Sequence, residues 1–333
     1  MSTIILDANI KENIELCAKE IIKGEIVAMP TETVYGLAAN ALDEAAVSKI
    51  FLTKGRQRDN PLIVHVSSAR DVEGLVSDIP DCFYPLVENF WPGPLTLILK
   101  HNNLLPKVVT AGLDSVAIRM PNHKAALELI ELSGCPLAAP SANISGSPSP
   151  TKAVHVRDDF DGKIKYILDG GDCTVGLEST VLDISQAVPK ILRPGGVTFA
   201  KLVKVLGGVD VENLEDVQSP RSPGMKYRHY APMAPLIALS GAPEESVRYI
   251  REHLDDNTGA LMFDDFAVVH QNVISYGRYD DHETQGVNLF DALRRFDDMA
   301  VTQIYAQLPS EVGLGFAIAN RIKKAAGNKI VTV

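Results

Sequence analysis

The alternation of apolar and polar positions opens with a helix. Ile10, Ile14, Cys17, Ala18, Ile21 and Ile22 recur at the helical period across residues 10–23, and Gly24 sits at the C-cap position. A short apolar, β-branched run at 26–29 reads as a buried strand, and Pro30 stops it. Thr31, Glu32 and Thr33 therefore fall where that strand opens into a loop, a place where hydroxyls face a cleft rather than the core. Asp43 is a capping residue for a second helix, whose Val47, Ile50 and Phe51 share one face and which Gly55 breaks. Asn60 and Pro61 then restart an apolar strand at 62–66, with His65 near its end.

The same rhythm continues to about residue 207. Helices are expected at 72–76, 83–90, 123–132 and 199–206, the last capped by Thr198 and ended by Gly207 and Gly208. Strands are expected at 95–100, 115–120, 137–139, 164–168, 180–184 and 190–193. Such interleaving predicts an α/β fold, a twisted and mostly mixed sheet covered by helices. Residues 208–235 carry prolines and basic clusters with little apolar periodicity, and read as a linker or lid. Beyond it, strands at 236–239, 260–263 and 302–306 alternate with helices at 244–254, 289–299 and 312–326. The resulting division is 1–207, a linker at 208–235, and a smaller Rossmann-like α/β domain at 236–333.

A length of 333 residues agrees with two domains, and 46% apolar with 22% charged residues is an ordinary globular composition. The N-terminus, MSTIILDAN, lacks the basic and apolar regions of a secretory signal, and no apolar run reaches membrane-span length. Cytoplasmic residence without membrane contact is the expectation. Cys17, Cys82, Cys135 and Cys173 are scattered, with no C-x-x-C, which argues against a zinc site or a disulfide framework. A net charge of −10 disfavours a broad grip on a nucleic-acid backbone. A local basic cleft in an acidic molecule suits a nucleotide better.

Such a cleft has candidates. Lys54, Arg56 and Arg58 lie within five residues beside the hydroxyl-rich strand end. Lys offers phosphate a point charge and Arg a planar fork; the plainer reading is a solvated basic loop. A second polar loop, Ser-Ala-Asn-Ile-Ser-Gly-Ser-Pro-Ser-Pro-Thr at 141–151, again follows a Pro-terminated strand. Arg119 closes an apolar strand just before Pro121, either as a buried ion pair or as a hold for a carboxylate. No Gly-x-Ser-x-Gly elbow, Cys/His signature or His-Glu metal motif appears. The C-terminal GLGFAIANRIKKAAG lacks the Gly-Lys-Ser/Thr ending of a P-loop and receives no chemistry.

Taken in order, PTETVYGL at 30–37, Lys54-x-Arg56, WPGPLT at 91–96, VAIRMP at 116–121, Ser141-x-Asn143, GLEST at 176–180 and LRPG at 192–195 resemble the Sua5/YrdC family of L-threonylcarbamoyladenylate synthases. SPGMKYRHYAP at 222–232 resembles the linker of the long, two-domain Sua5 form. The chain departs from the family at Gln57, where relatives often carry Pro. The resemblance implies a YrdC-like fold around a concave cavity. It also implies a reaction: L-threonine, bicarbonate or CO2 and ATP give L-threonylcarbamoyl-AMP and pyrophosphate, the first step of t6A formation at position 37 of tRNAs reading ANN codons.

By the same resemblance Arg119 and Ser179 hold the threonine carboxylate, and Thr33, His65 and the Ala139 backbone shape the rest of that pocket. Lys54, Arg56, Asn60, Ser115, Ser141, Asn143, Ser149 and Arg193 surround ATP; Lys54, Arg56, Ser141 and Asn143 carry the catalytic roles. Tyr35 lies near the junction and Tyr230 acts as a lid. Mg2+ accompanies the triphosphate, no metal site being built into the protein. The implied partners are the transferase that consumes the product and a weak contact with tRNA. Two other readings are the carbamoyl-adenylate-forming domain of hydrogenase maturation proteins, whose zinc fingers are missing here, and a double-stranded RNA-binding module.

Overall fold

The computed structural model describes residues 2–212 and 229–333. They form two compact units: 2–145, 150–174 and 178–212 make the first, and 146–149, 175–177 and 229–333 the second. The motif at 222–232 thus lies mostly outside the described residues.

The first unit holds eleven strands: β1 (Ile4–Asp7), β2 (Val27–Met29), β3 (Gly36–Asn40), β4 (Ile63–His65), β5 (Leu95–Lys100), β6 (Ser115–Arg119), β7 (Leu137–Ala138), β8 (Tyr166–Asp169), β9 (Thr180–Asp183), β10 (Lys190–Arg193) and β11 (Asp210–Val211). They make one sheet in the order β1-β8-β2-β3-β7-β4-β6-β5-β9-β10-β11. Pairing is mixed: β4 and β6 run parallel, as do β5 and β9, whereas β5 and β6, and β4 and β7, run antiparallel. Seven helices accompany it: α1 (Lys11–Ile22), α2 (Glu44–Lys54), α3 (Phe83–Phe90), α4 (Lys107–Thr110), α5 (Lys124–Ser133), α6 (Ala153–Phe160) and α7 (Phe199–Leu206).

Side chains alternate across the pleat, so each strand divides its residues between two faces. Leu37, Val64, Leu97, Ile118, Leu182 and Ile191 join one large core with Ile50 and Phe51 of α2, Leu86 of α3, Phe160 of α6 and Leu202 of α7. On the other face, α1 and α5 cover Val27, Met29, Ala38, Leu137 and Leu168. Past β7 that cover ends. Ile63, Ile98, Ala117, Val181 and Leu192 form a small cluster of strand residues alone, and His65 and Arg119 share their face. This stretch of β4, β6, β5, β9 and β10 is where polar groups gather.

Local chemistry explains most of the elements. The Asp43 carboxylate accepts from the Ala45 and Ala46 amides, and Gly55 ends α2 in the left-handed conformation that glycine tolerates. Trp91 is structural, its indole donating to the Leu95 carbonyl at 2.7 Å. Three differences from the sequence reading have clear causes. The helix expected at 72–76 is a 3-10 turn, Ala69–Gly74, which starts earlier because a capping box between Ser68 and Asp71 opens it. Strand β3 has no β-branched residue, yet forms because both β2 and β7 pair with it. Helix α6 carries a narrow apolar stripe, and its Val156 and Phe160 are buried.

The second unit is a five-stranded parallel sheet of β12 (Leu236–Ser240), β13 (Thr258–Met262), β14 (Val273–Ser275), β15 (Gln303–Gln307) and β16 (Ile330–Thr332), in the order β14-β13-β15-β12-β16. Helices α8 (Pro243–His253), α9 (His282–Arg295) and α10 (Gly315–Ala325) complete it. β14 and β16, of three residues each, are too short to show in the apolar pattern. No helix among the described residues is long and apolar enough to cross a membrane.

Removing the α2 cap isolates one of these local terms. Asp43→Ala leaves two amides without an acceptor and lowers stability by about 1 kcal/mol, read from a shift in the urea unfolding midpoint.

Candidate active site

The site begins with the loop after β2. The Thr31 hydroxyl accepts from the Thr33 and Val34 amides, donates to the Val34 carbonyl at 2.6 Å, and lies 2.9 Å from the Thr33 hydroxyl. This turn aims Thr33 at the end of β6, where Arg119 Nη1 donates to its hydroxyl at 2.8 Å. Arg119 Nε donates to the Gly93 carbonyl at 3.2 Å. Its Nη2 lies 2.7 Å from Glu32 Oε2, and the side chains are only 4% and 5% exposed. The distance makes this a buried ion pair, although its atoms are not aligned as a hydrogen bond and Glu32 Oε1 has no hydrogen-bond partner. Both readings of Arg119 therefore meet in one residue: it is ion-paired, and its Nη2 keeps donor capacity.

Register places His65 of β4 directly beside Arg119. Burial, and then the Arg119 charge, push its pKa down to about 3, so the imidazole is neutral. Its Nδ1 is buried without a hydrogen-bond partner. Cys173 sits in the same electrostatic neighbourhood, its thiol pushed up by burial and then by Glu32 and Asp172. The Ala139 amide donates to the Ile63 carbonyl at 3.0 Å, fixing the backbone beyond β7.

A second cluster forms where β9 begins. Arg193 donates to the Ser179 carbonyl from Nε and Nη2, at 3.2 and 2.9 Å, and to the Ser179 hydroxyl at 3.2 Å. That hydroxyl is 2.7 Å from Thr96 Oγ1. Gly195 leaves no room for a side chain: a Cβ there would lie 2.3 Å from the Glu178 carbonyl oxygen and 2.4 Å from the Thr180 nitrogen.

The third cluster joins the end of α2 to the serine-rich loop. Lys54 is buried and donates to the carbonyls of Ser141 and Asn143. The Ser141 hydroxyl donates to Asn143 Oδ1 at 2.5 Å. Arg56 Nη2 reaches the Asn60 and Pro61 carbonyls at 3.3 and 3.1 Å, and Asn60 Oδ1 is buried without a hydrogen-bond partner. Ser115 begins β6, half-buried.

The structure thus brings Thr33, His65 and Arg119 together, Ser179 with Arg193, and Lys54 with Ser141 and Asn143. Two expected site residues belong to the second unit. Ser149 lies in the 146–149 segment, and Tyr230 is buried with its ring 5.3 Å from Phe290 and 5.4 Å from the Arg321 guanidinium. Tyr35 donates its hydroxyl toward Asp169 Oδ1 and the Gly171 carbonyl, and its ring lines the large core. Sequence reasoning placed Glu32 and Thr96 in their motifs without assigning either to the site. A carboxylate between two threonines, just after a strand-ending proline, was the available signal for Glu32.

Comparison with known proteins places the chain in a family. The family model described as telomere recombination, that of Sua5, YciO and YrdC, matches residues 19–195. The chain belongs to the Sua5/YciO/YrdC family. A second model, the threonylcarbamoyl-AMP synthase C-terminal domain, matches residues 197–327. Among its relatives is the threonylcarbamoyl-AMP synthase of Pyrococcus abyssi, 46% identical over 99% of this chain and 100% of that protein. The Bacillus subtilis protein of the same name is 49% identical over 93% and 91%. The crystal structure of P. abyssi Sua5 complexed with L-threonine superposes with a TM-score of 0.93 at 44% identity, covering 99% of this chain and 100% of that one. YciO from E. coli, at 22% identity over 59% of this chain and 96% of its own, shares the YrdC-like fold with a TM-score of 0.52.

Two outcomes follow from the packing. His65 is held neutral in the fold but accepts a proton near pH 6.5 once unfolded, so its contribution to stability is present above that pH and falls away as pH drops toward about 3. His65→Asn therefore flattens the loss of stability between about pH 6.5 and 5, measured by urea titrations at each pH. Gly195→Ala forces the 178–180 backbone aside and destabilises by about 1–3 kcal/mol, seen as a lowered melting temperature.

Proposed function

We propose that the protein makes L-threonylcarbamoyl-AMP from L-threonine, bicarbonate or CO2, and ATP, releasing pyrophosphate. The observation that carries this reading is the neighbouring set of Arg119, Thr33 and neutral His65 on a sheet face, with the Lys54–Ser141–Asn143 cluster in the same unit. Its support from outside the chain is full-length similarity to proteins of that name, one with a structure complexed with L-threonine.

Arg119 and Ser179 receive the threonine carboxylate, and Thr33, His65 and the Ala139 backbone enclose the rest. The amine nitrogen bonds to the carbon of CO2 and gives up a proton, leaving a carbamate. A carbamate oxygen then attacks the α-phosphorus of ATP; the bond to the bridging oxygen breaks, and pyrophosphate departs. The protein contributes alignment and positive charge rather than a nucleophile. Arg56, Asn60, Ser115, Ser141, Asn143 and Arg193 line the nucleotide's place. Lys54 acts there by fixing the 141–143 backbone as well as by its charge. ATP arrives as its Mg2+ complex. The product passes to the transferase that forms t6A at position 37 of tRNAs reading ANN codons, in the cytoplasm.

The test is pyrophosphate release by the full chain with threonine and bicarbonate each supplied or omitted. Release that requires both supports the reading, and release indifferent to threonine sinks it. Arg119→Ala raises the threonine KM about a hundredfold, with the ATP KM within a few-fold of the parent. Lys54→Ala does the reverse.

A further inference from the structure

The Arg119–Glu32 pair raises a question of selectivity. A guanidinium binds phosphate as readily as it binds a carboxylate, since the fork fits both. The proposed reaction has abundant phosphate close by, in ATP and in the pyrophosphate that leaves. An unpaired Arg119 would attract those anions into the amino-acid pocket. Glu32 lies 2.7 Å from it, buried, so the pair presents almost no net charge to an approaching anion. The neighbouring groups do not restore positive charge, because His65 is held neutral beside Arg119. Glu32 Oε1 remains a buried acceptor without a hydrogen-bond partner, an arrangement that favours a ligand carrying an N–H donor and disfavours one that carries only oxygens.

We infer that Glu32 is a specificity-determining residue, one that neutralises Arg119 so that the pocket accepts a singly charged carboxylate with its own ammonium and rejects phosphate. This rests on the reading that Arg119 receives the threonine carboxylate. Glu32 acts through Arg119 and takes no part in bond making, so its removal should alter which anions compete more than it alters turnover.

The experiment uses the full chain and inorganic phosphate as competitor against threonine, at saturating ATP. In the parent protein phosphate competes poorly. In Glu32→Gln, which keeps the shape and an acceptor but drops the charge, the phosphate inhibition constant against threonine falls about tenfold or more. The ATP KM stays within a few-fold, and the same substitution made in Arg119→Ala has no effect on phosphate inhibition. An unchanged inhibition constant in Glu32→Gln, or an equal fall in the Arg119→Ala background, overturns the inference. Should Glu32→Gln fail to fold, Glu32→Asp takes its place: it withdraws the charge from Arg119 and produces a smaller fall, and no fall there is equally decisive. A parent protein without threonine-dependent pyrophosphate release would refute the proposed function instead, which keeps the two failures distinct.

Discussion

A buried guanidinium is tolerable only where its charge and its donors are met, and the middle of the first unit is organised around that requirement. Arg119 ends a strand that lies between β4 and β5, with apolar neighbours along its own face. Three separate pieces of chain come to it: the loop after β2 brings Glu32 and Thr33, the turn before β5 brings the Gly93 carbonyl, and β4 brings His65. Each has its own local support, such as the Thr31 turn that holds Thr33. Replacing one partner leaves a charge that the rest of the sheet has no means to solvate.

The incomplete cover of the sheet complements this arrangement. Helices α1 and α5 bury one part of a face and end at β7, while the opposite face is packed into the large core. The sheet is therefore backed across its width, and past β7, where α1 and α5 no longer pack, adjacent strands hold buried polar groups at fixed spacing. Arg193 and Lys54 serve the same end by a different route. Both donate to backbone carbonyls, at Ser179 and at Ser141 and Asn143, so cations fix the path of the loops whose hydroxyls face the site.

The fold was legible wherever a local rule was strong. Asp43, Gly55, Thr198 and Gly207 marked the ends of α2 and α7, and the apolar runs marked β5, β6, β9 and β10. It was not legible where pairing overrides composition: β3 is a run of Gly, Leu, Ala and Asn that becomes a strand because two neighbours need it. The site divides in the same way. Arg119 and His65 announced themselves as polar residues closing apolar strands, but the partner of Arg119 lies 87 positions away and no spacing rule connects them. Tyr35 of PTETVYGL shares the large core with Leu37 and Ala39, and its hydroxyl reaches Asp169, a partner 134 positions away that no local pattern points to.

The neutrality of His65 has a wider consequence. Burial and the adjacent cation hold the imidazole uncharged, and burial keeps the Cys173 thiol protonated. Neither exchanges a proton near neutral pH, so these two neighbours of Arg119 and Glu32 hold a fixed charge state there. The field around the buried Arg119–Glu32 pair therefore keeps the same character across the neutral range.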